Sequence, residues 1–121
     1  MQTEWAGLTD QLRPQLKNLH SGAPAVMKAF SAIAQAALAP KALDTKTKEL
    51  LALGIAVVTR CDDCIAFHVK AAIEQGASQE ELLETLGMAI YMGAGPTVMY
   101  ASHALEAFSQ FKAKENQAKA S

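Results

Sequence analysis

Charge of one sign is missing from this chain: 11 Lys and Arg stand against 12 Asp and Glu, for a formal net charge of -1. That balance supplies no field to attract nucleic acid or an anionic membrane. Long hydrophobic runs are missing too. The apolar run Leu50 to Val58 has nine residues, against about 20 for a bilayer span. The opening residues carry acids and no apolar stretch of the signal-peptide kind, so no secretion is expected and the expected compartment is cytoplasmic. Cysteine is scarce, with two in the chain. Structural disulfides are rare in the cytosol, so the pair points to catalysis or metal binding rather than a staple. Val, Ile and Thr are thin outside one stretch, whereas 24 alanines lead a composition rich in Leu, Met, Lys, Gln and Glu. These are helix formers, and no strand, long linker or low-complexity segment is read. The length of 121 residues predicts a single domain over 1–121, all-α, a compact bundle of about six helices.

The first predicted helix runs from Thr3 to Leu19, with Trp5, Leu8, Leu12, Leu16 and Leu19 at helical spacing and Pro14 as a kink or division. Ser21-Gly22 reads as a break. The second begins near Pro24, carries Val26, Met27, Phe30, Ile33, Ala34 and Ala37 on one face, and stops at Pro40. Asp44 or Thr45 caps the third, which extends to about Arg60. The fourth starts inside the cysteine motif with Asp62 as its cap and ends at Gly76, suited to a left-handed C-terminal position. Ser78 and Glu81 form a capping box for the fifth. Gly93-Ala94-Gly95-Pro96 breaks the chain, and Pro96 opens a sixth. The polar tail, residues 112–121, is expected to fray.

Cys61-x-x-Cys64-x-x-x-His68 is the densest chemistry in the chain. Two cysteines three apart at a helix start bring their sulfurs within bridging distance. Free N–H groups and the helix dipole there favour a thiolate, the nucleophilic form. His68, four residues beyond Cys64, shares its helical face and can exchange a proton with it. Asp62 and Asp63 act the other way, because nearby carboxylates raise a thiol pKa. A c-type haem site needs a histidine directly after the second cysteine, where Ile65 stands. A zinc site needs four ligands, so Cys61, Cys64 and His68 would need Glu49, His20 or His103 as a fourth. A pair of inert buried thiols is the plain alternative.

These residues, with Glu49 twelve positions before Cys61, resemble the carboxymuconolactone decarboxylase family in its alkylhydroperoxidase D (AhpD)-like branch. The resemblance extends over the family core from Leu43 to Pro96 and to "HALEAF", His103 to Phe108. It implies an all-α fold and thiol-dependent reduction of peroxides, with no cofactor and no metal. In that reading Cys64 acts first, Cys61 resolves it into a disulfide, and Glu49 and His68 form a proton relay. The implied partners are a peroxide substrate and a dithiol or lipoyl-type reductant. A redox-sensing or metal-binding module built on the same cysteines is the alternative from another class. AhpD itself carries a histidine directly before its second cysteine, where this chain has Asp63, and is a longer, doubled unit. Straight antiparallel helices would leave Glu49 and His68 offset by roughly 8 Å along the axes. On that count a direct bond is not guaranteed, and a bridging water, an oblique crossing or a neighbouring subunit is the other way to close the relay.

The third helix is apolar on nearly every side between Leu50 and Val58, which predicts burial all round and hence a homo-oligomer. Alanines at 32, 36, 52 and 56 permit close helix approach. The resemblance implies a trimer or a hexamer, with the hexamer expected. Other candidates read as structure. His103 is expected to be packed or on the surface, and His20 to interact with helix-end carbonyls. Tyr91 and Tyr100 suit core packing, and Met88, Met92 and Met99 a pliable core or interface. Gly93-Ala94-Gly95 follows no strand, so it is no dinucleotide loop.

Overall fold

Five helices follow one another: α1 Trp5–Gly22, α2 Pro24–Leu38, α3 Thr45–Val58, α4 Asp62–Glu74 and α5 Gln79–Ala120. The computed structural model describes residues 4–120, and among these residues there is no strand. The predicted start at Thr3 lies outside them. The expected fifth and sixth helices are the two arms of α5, which bends at Ala94, a residue outside the helical region at φ 60°, ψ -147°.

Local chemistry explains most of the boundaries. Asp44 caps α3 by accepting from the Thr47 N–H at 2.8 Å. Ser78 Oγ accepts from the Glu81 N–H at 3.1 Å while Glu81 accepts from the Ser78 N–H at 2.9 Å, a reciprocal capping box. Gly76, at φ +87°, occupies the left-handed position that ends α4. Helix α2 stops at Leu38, and Ala39 ahead of Pro40 is extended, as a residue before proline prefers.

Several boundaries differ from expectation. Helix α1 is not divided at Pro14, which sits exposed within it, so water can satisfy the carbonyl left without a donor. The break after α1 falls at Ala23 rather than Ser21-Gly22. Helix α3 ends at Val58, and Arg60 takes a left-handed turn at φ 60°. The cap of α4 is Cys61, not Asp62: Cys61 adopts the extended conformation of a cap residue, and its Sγ accepts from the Cys64 N–H at 3.2 Å. The tail expected to fray continues α5 as helix to Ala120, where Glu115 pairs with Lys112 and Lys119, and Lys114 reaches Asp10 of α1. Ser121 lies outside the described residues.

The core centres on α4. Ile65, Ala66, Val69 and Ala72 are fully buried among Leu53 and Val57 of α3 and Leu82, Ala104 and Ala107 of α5. A buried side chain the size of Ile or Leu contributes about 1.5–3 kcal/mol. Trp5 closes the core from α1, whose first N–H groups, on Trp5 and Ala6, donate to Oε1 of Gln110 at 2.7 and 3.2 Å. Helix α3 has two characters. Glu49, Leu53, Ala56 and Val57 face inward, but Leu51, Ile55 and Val58 stay exposed, so one chain does not bury α3 all round. Helix α2 has no buried residue.

Candidate active site

Helices α3 and α4 form a hairpin whose turn, Thr59 to Cys61, delivers the cysteines. The Cys61 N–H donates to the Ala56 carbonyl at 3.0 Å, which folds the turn back onto α3. Cys61 and Cys64 are joined as a disulfide, with Cα atoms 5.2 Å apart. Both are partly exposed at the start of α4, the position at which bridging was expected.

Glu49 and His68 meet directly: His68 Nδ1 lies 2.8 Å from Glu49 Oε1. No bridging water or neighbouring subunit is needed. The straight-helix offset was too large because α3 stops two residues before Arg60. Counting from Val58 back to Glu49 and from Asp62 on to His68 leaves an offset of roughly 4 to 5 Å. Two side chains of this length close that gap. The Glu49 carboxylate is buried, with 6% of the residue exposed, and His68 is its polar partner. A buried carboxylate without a partner is costly. The bond also orients the ring: with Nδ1 engaged by Glu49, Nε2 is the nitrogen left to act elsewhere.

His68 borders a cleft of about 390 Å³ lined by Ala34 and Leu38 of α2 and Lys48, Leu51 and Ile55 of α3. A larger apolar groove, about 500 Å³, runs between α3 and α5 along Leu50, Leu51, Ile55, Val58, Met88 and Met92. It includes neither the cysteines nor His68. Among the described residues no three His, Cys, Asp or Glu side chains converge as a metal site, so the proposed fourth ligands do not complete a set with the cysteines. No helix of the described residues is long and apolar enough to cross a membrane.

One neighbour of the motif escaped the sequence reading. His103 of α5 places Nδ1 3.2 Å from Oδ1 of Asp62, the residue between Cys61 and Asp63. Its ring packs on Trp5 and Tyr100, centroids 5.4 and 5.2 Å away. This fits the expectation of a packed or surface histidine, but the pairing spans 41 residues, and no local pattern signals it.

A model of the carboxymuconolactone decarboxylase family matches residues 24–107. An uncharacterized protein of Cupriavidus necator is 38% identical over 113 residues, 93% of this chain and all of its own length. A Haemophilus influenzae protein is 39% identical over 113 residues, 93% of this chain and all of its own length. Among solved structures, a carboxymuconolactone decarboxylase family protein from Legionella pneumophila superposes with a TM-score of 0.87 at 48% identity, covering 89% of this chain and 96% of its own. A Thermotoga maritima member, for which a part in the antioxidative response is suggested, superposes at 0.83 with 31% identity over 91% of this chain and 94% of its own. The all-helical fold, the Cys61–Cys64 pair at the head of α4 and these likenesses agree: the chain belongs to the carboxymuconolactone decarboxylase family.

Proposed function

We propose that this chain is a thiol-dependent peroxidase of the AhpD-like kind, a disulfide oxidoreductase that cycles Cys61 and Cys64. The observation that carries the reading is the joined cysteine pair one helical turn from a histidine held by a buried glutamate. The suggested antioxidative role of the Thermotoga relative points the same way.

In the reduced protein the Cys64 thiolate attacks the terminal peroxide oxygen. A sulfur–oxygen bond forms, the oxygen–oxygen bond breaks, and the departing alkoxide takes a proton supplied through His68 and Glu49. The Cys61 thiol then condenses with the Cys64 sulfenic acid, forming the disulfide and releasing water. An external dithiol, of the lipoyl type, returns two electrons and two protons to the pair and leaves as a disulfide. Two local effects assign the sulfurs. His68 shares a face with Cys64, four residues apart, which favours proton exchange there. The Cys64 N–H points at Cys61 Sγ, which favours charge on Cys61. The imidazole removes a proton and the N–H only solvates, so Cys64 is assigned the attack.

Peroxide consumption driven by a dithiol, with many turnovers per chain, is the expected result. A single stoichiometric oxidation would instead mark a sensing module. Cys64→Ser abolishes turnover. Cys61→Ser reacts once and stops as a sulfenic acid that dimedone traps. Trapping on Cys61 in the Cys64→Ser protein would reverse the roles. Glu49→Gln, which leaves the ring bonded but removes the charge, lowers turnover by about tenfold or more.

The reading includes assembly of copies of this chain as a hexamer or trimer. Leu51, Ile55 and Val58 of α3 and Met88 and Met92 of α5 are exposed side by side along the apolar groove. Contiguous apolar surface of this kind is more often an interface than free surface.

A further inference from the structure

The disulfide is flanked by two histidines, and only one of them has a part in the chemistry above. On α4, Cys64 and His68 share a face, whereas Asp62, two residues before Cys64, lies about 200° round the helix. His68 with Glu49 and His103 with Asp62 therefore act on different sides of the same helix start. The second pair is exposed, with side chains 40% and 48% accessible, so as an ion pair it adds little to stability. Its position is what matters. Asp62 adjoins Cys61 and is two residues from Cys64, where a carboxylate opposes formation of a thiolate.

The imidazole is well placed to counter that effect. Trp5, 2% exposed, supports its ring from α1, and Tyr100 meets it nearly edge-on from its own helix. A ring fixed between two aromatics loses little further freedom on pairing with Asp62. Charged groups elsewhere around the motif are exposed Arg60 before Cys61, exposed Asp63 after Asp62, and the His68–Glu49 pair. On α5, exposed Glu106 lies one turn beyond His103.

We propose that His103 is a positioning residue of the redox pair: by holding the Asp62 carboxylate it offsets that charge at the sulfurs and lets a thiolate form near neutral pH. This rests on the thiol reading of the site but not on the identity of the oxidant. His103 exchanges no proton with substrate in this scheme. It acts through Asp62, so its effect exists only while Asp62 is charged.

The test uses the full chain, reduced, with iodoacetamide alkylation of each cysteine followed by mass spectrometry across pH. His103→Gln should slow alkylation at neutral pH by about threefold, the size of half a pKa unit, and move the pH midpoint upward. His103→Asn, which keeps a donor near the Nδ1 position, should restore part of the rate. In an Asp62→Asn background, His103→Gln should change nothing. The proposal is overturned if His103→Gln leaves the wild-type midpoint in place, or moves it equally in both backgrounds. Asp62→Asn alters an exposed side chain and should keep the fold. If the His103 variants lose their cooperative melt, Asp62→Asn is compared with Asp63→Asn: the carboxylate held by His103 should give the smaller downward shift of the midpoint, and an equal or larger shift from Asp62→Asn overturns the proposal. Peroxide plays no part in these readouts, so they stand even if the chain turns over no peroxide.

Discussion

Helix α4 buries Ile65, Ala66, Val69, Ala72 and Ile73, whereas α2, of similar length, buries none of its residues. Both carry apolar faces. On α4 that face meets α1, α3 and α5; on α2, Val26, Phe30 and Ile33 remain 61–68% exposed. An amphipathic pattern therefore states that a face wants cover but not where the cover comes from. The α3–α4 hairpin lies between these extremes. The inner face of α3 holds Glu49 against His68, and its outer face joins the uncovered surface of α2 and α5. In this protein one chain brings Glu49 to His68, and the same chain leaves the outer apolar surface exposed.

The largest expected effect sharpens that contrast. Ile65→Ala should cost about 2–5 kcal/mol of stability at any protein concentration. Phe30→Ala should cost less, and only where copies associate, because a bound neighbour adds stability by mass action. Urea unfolding at two protein concentrations reads both. An equal, concentration-independent loss would mean that α2 is covered within its own chain.

Ile55→Glu probes the outer face of α3. A single chain tolerates a charge at this exposed position within about 0.5 kcal/mol. An assembly that uses the groove does not, so light scattering should show dissociation with helix content unchanged. A wild-type protein that already runs at 12.9 kDa would remove the assembly reading altogether.

Backbone positions come next. Gly76→Ala forces a side chain into φ +87° and should destabilise by about 1 kcal/mol. Ala94→Gly should act in the opposite direction by about 1 kcal/mol, since an alanine at φ 60°, ψ -147° occupies territory natural to glycine. Thermal melts compare the two. A destabilising Ala94→Gly would show that the bend carries no strain.

The smallest effect is electrostatic. The hydrogen bond from Lys46, and then that from the Ser78 N–H, hold the Glu81 carboxyl below its ordinary 4.5, while Glu81 holds Lys46 above its ordinary 10.5. A lowered carboxyl pKa stabilises in full above the unfolded value and is lost as pH falls through the folded one; the raised lysine behaves in mirror image. The pair's contribution should therefore be flat between 4.5 and 10.5 and decline outside that window. Both groups are partly exposed at the surface, so salt should weaken it. Glu81→Gln should flatten the acid side of the melting profile, and an unchanged slope would assign acid sensitivity to other carboxylates.

Much of this was legible in the residues because its causes are local. The Asp44 cap, the Ser78–Glu81 box and Gly76 each depend on a few neighbouring positions, and each stands where it was read. The cysteine spacing at a helix start placed the disulfide, and Glu49 and His68 are close enough in sequence for helix geometry to bring them near. The errors have equally physical origins. Two residues at the end of α3 decided whether Glu49 could touch His68. A cysteine took the cap position that an aspartate usually fills, because conformation rather than acidity selects it. The meeting of His103 with Asp62 and the exposure of α2 depend on how whole helices dock, which no local pattern encodes.

The distances along the chain have a consequence in time. Glu49 and His68 are 19 residues apart and the cysteines three, but His103 is 41 from Asp62, and Gln110 more than 100 from the α1 N–H groups it satisfies. Short loops close sooner than long ones. A chain emerging from the ribosome thus has its thiols, histidine and glutamate in reach of one another before the last helix is made. The dithiol then exists first without His103, and gains its second imidazole only when α5 seals the chain's two ends together. Pulse-labelled hydrogen exchange during refolding would read that order, with amides of the α3–α4 hairpin protected before those around Gln110.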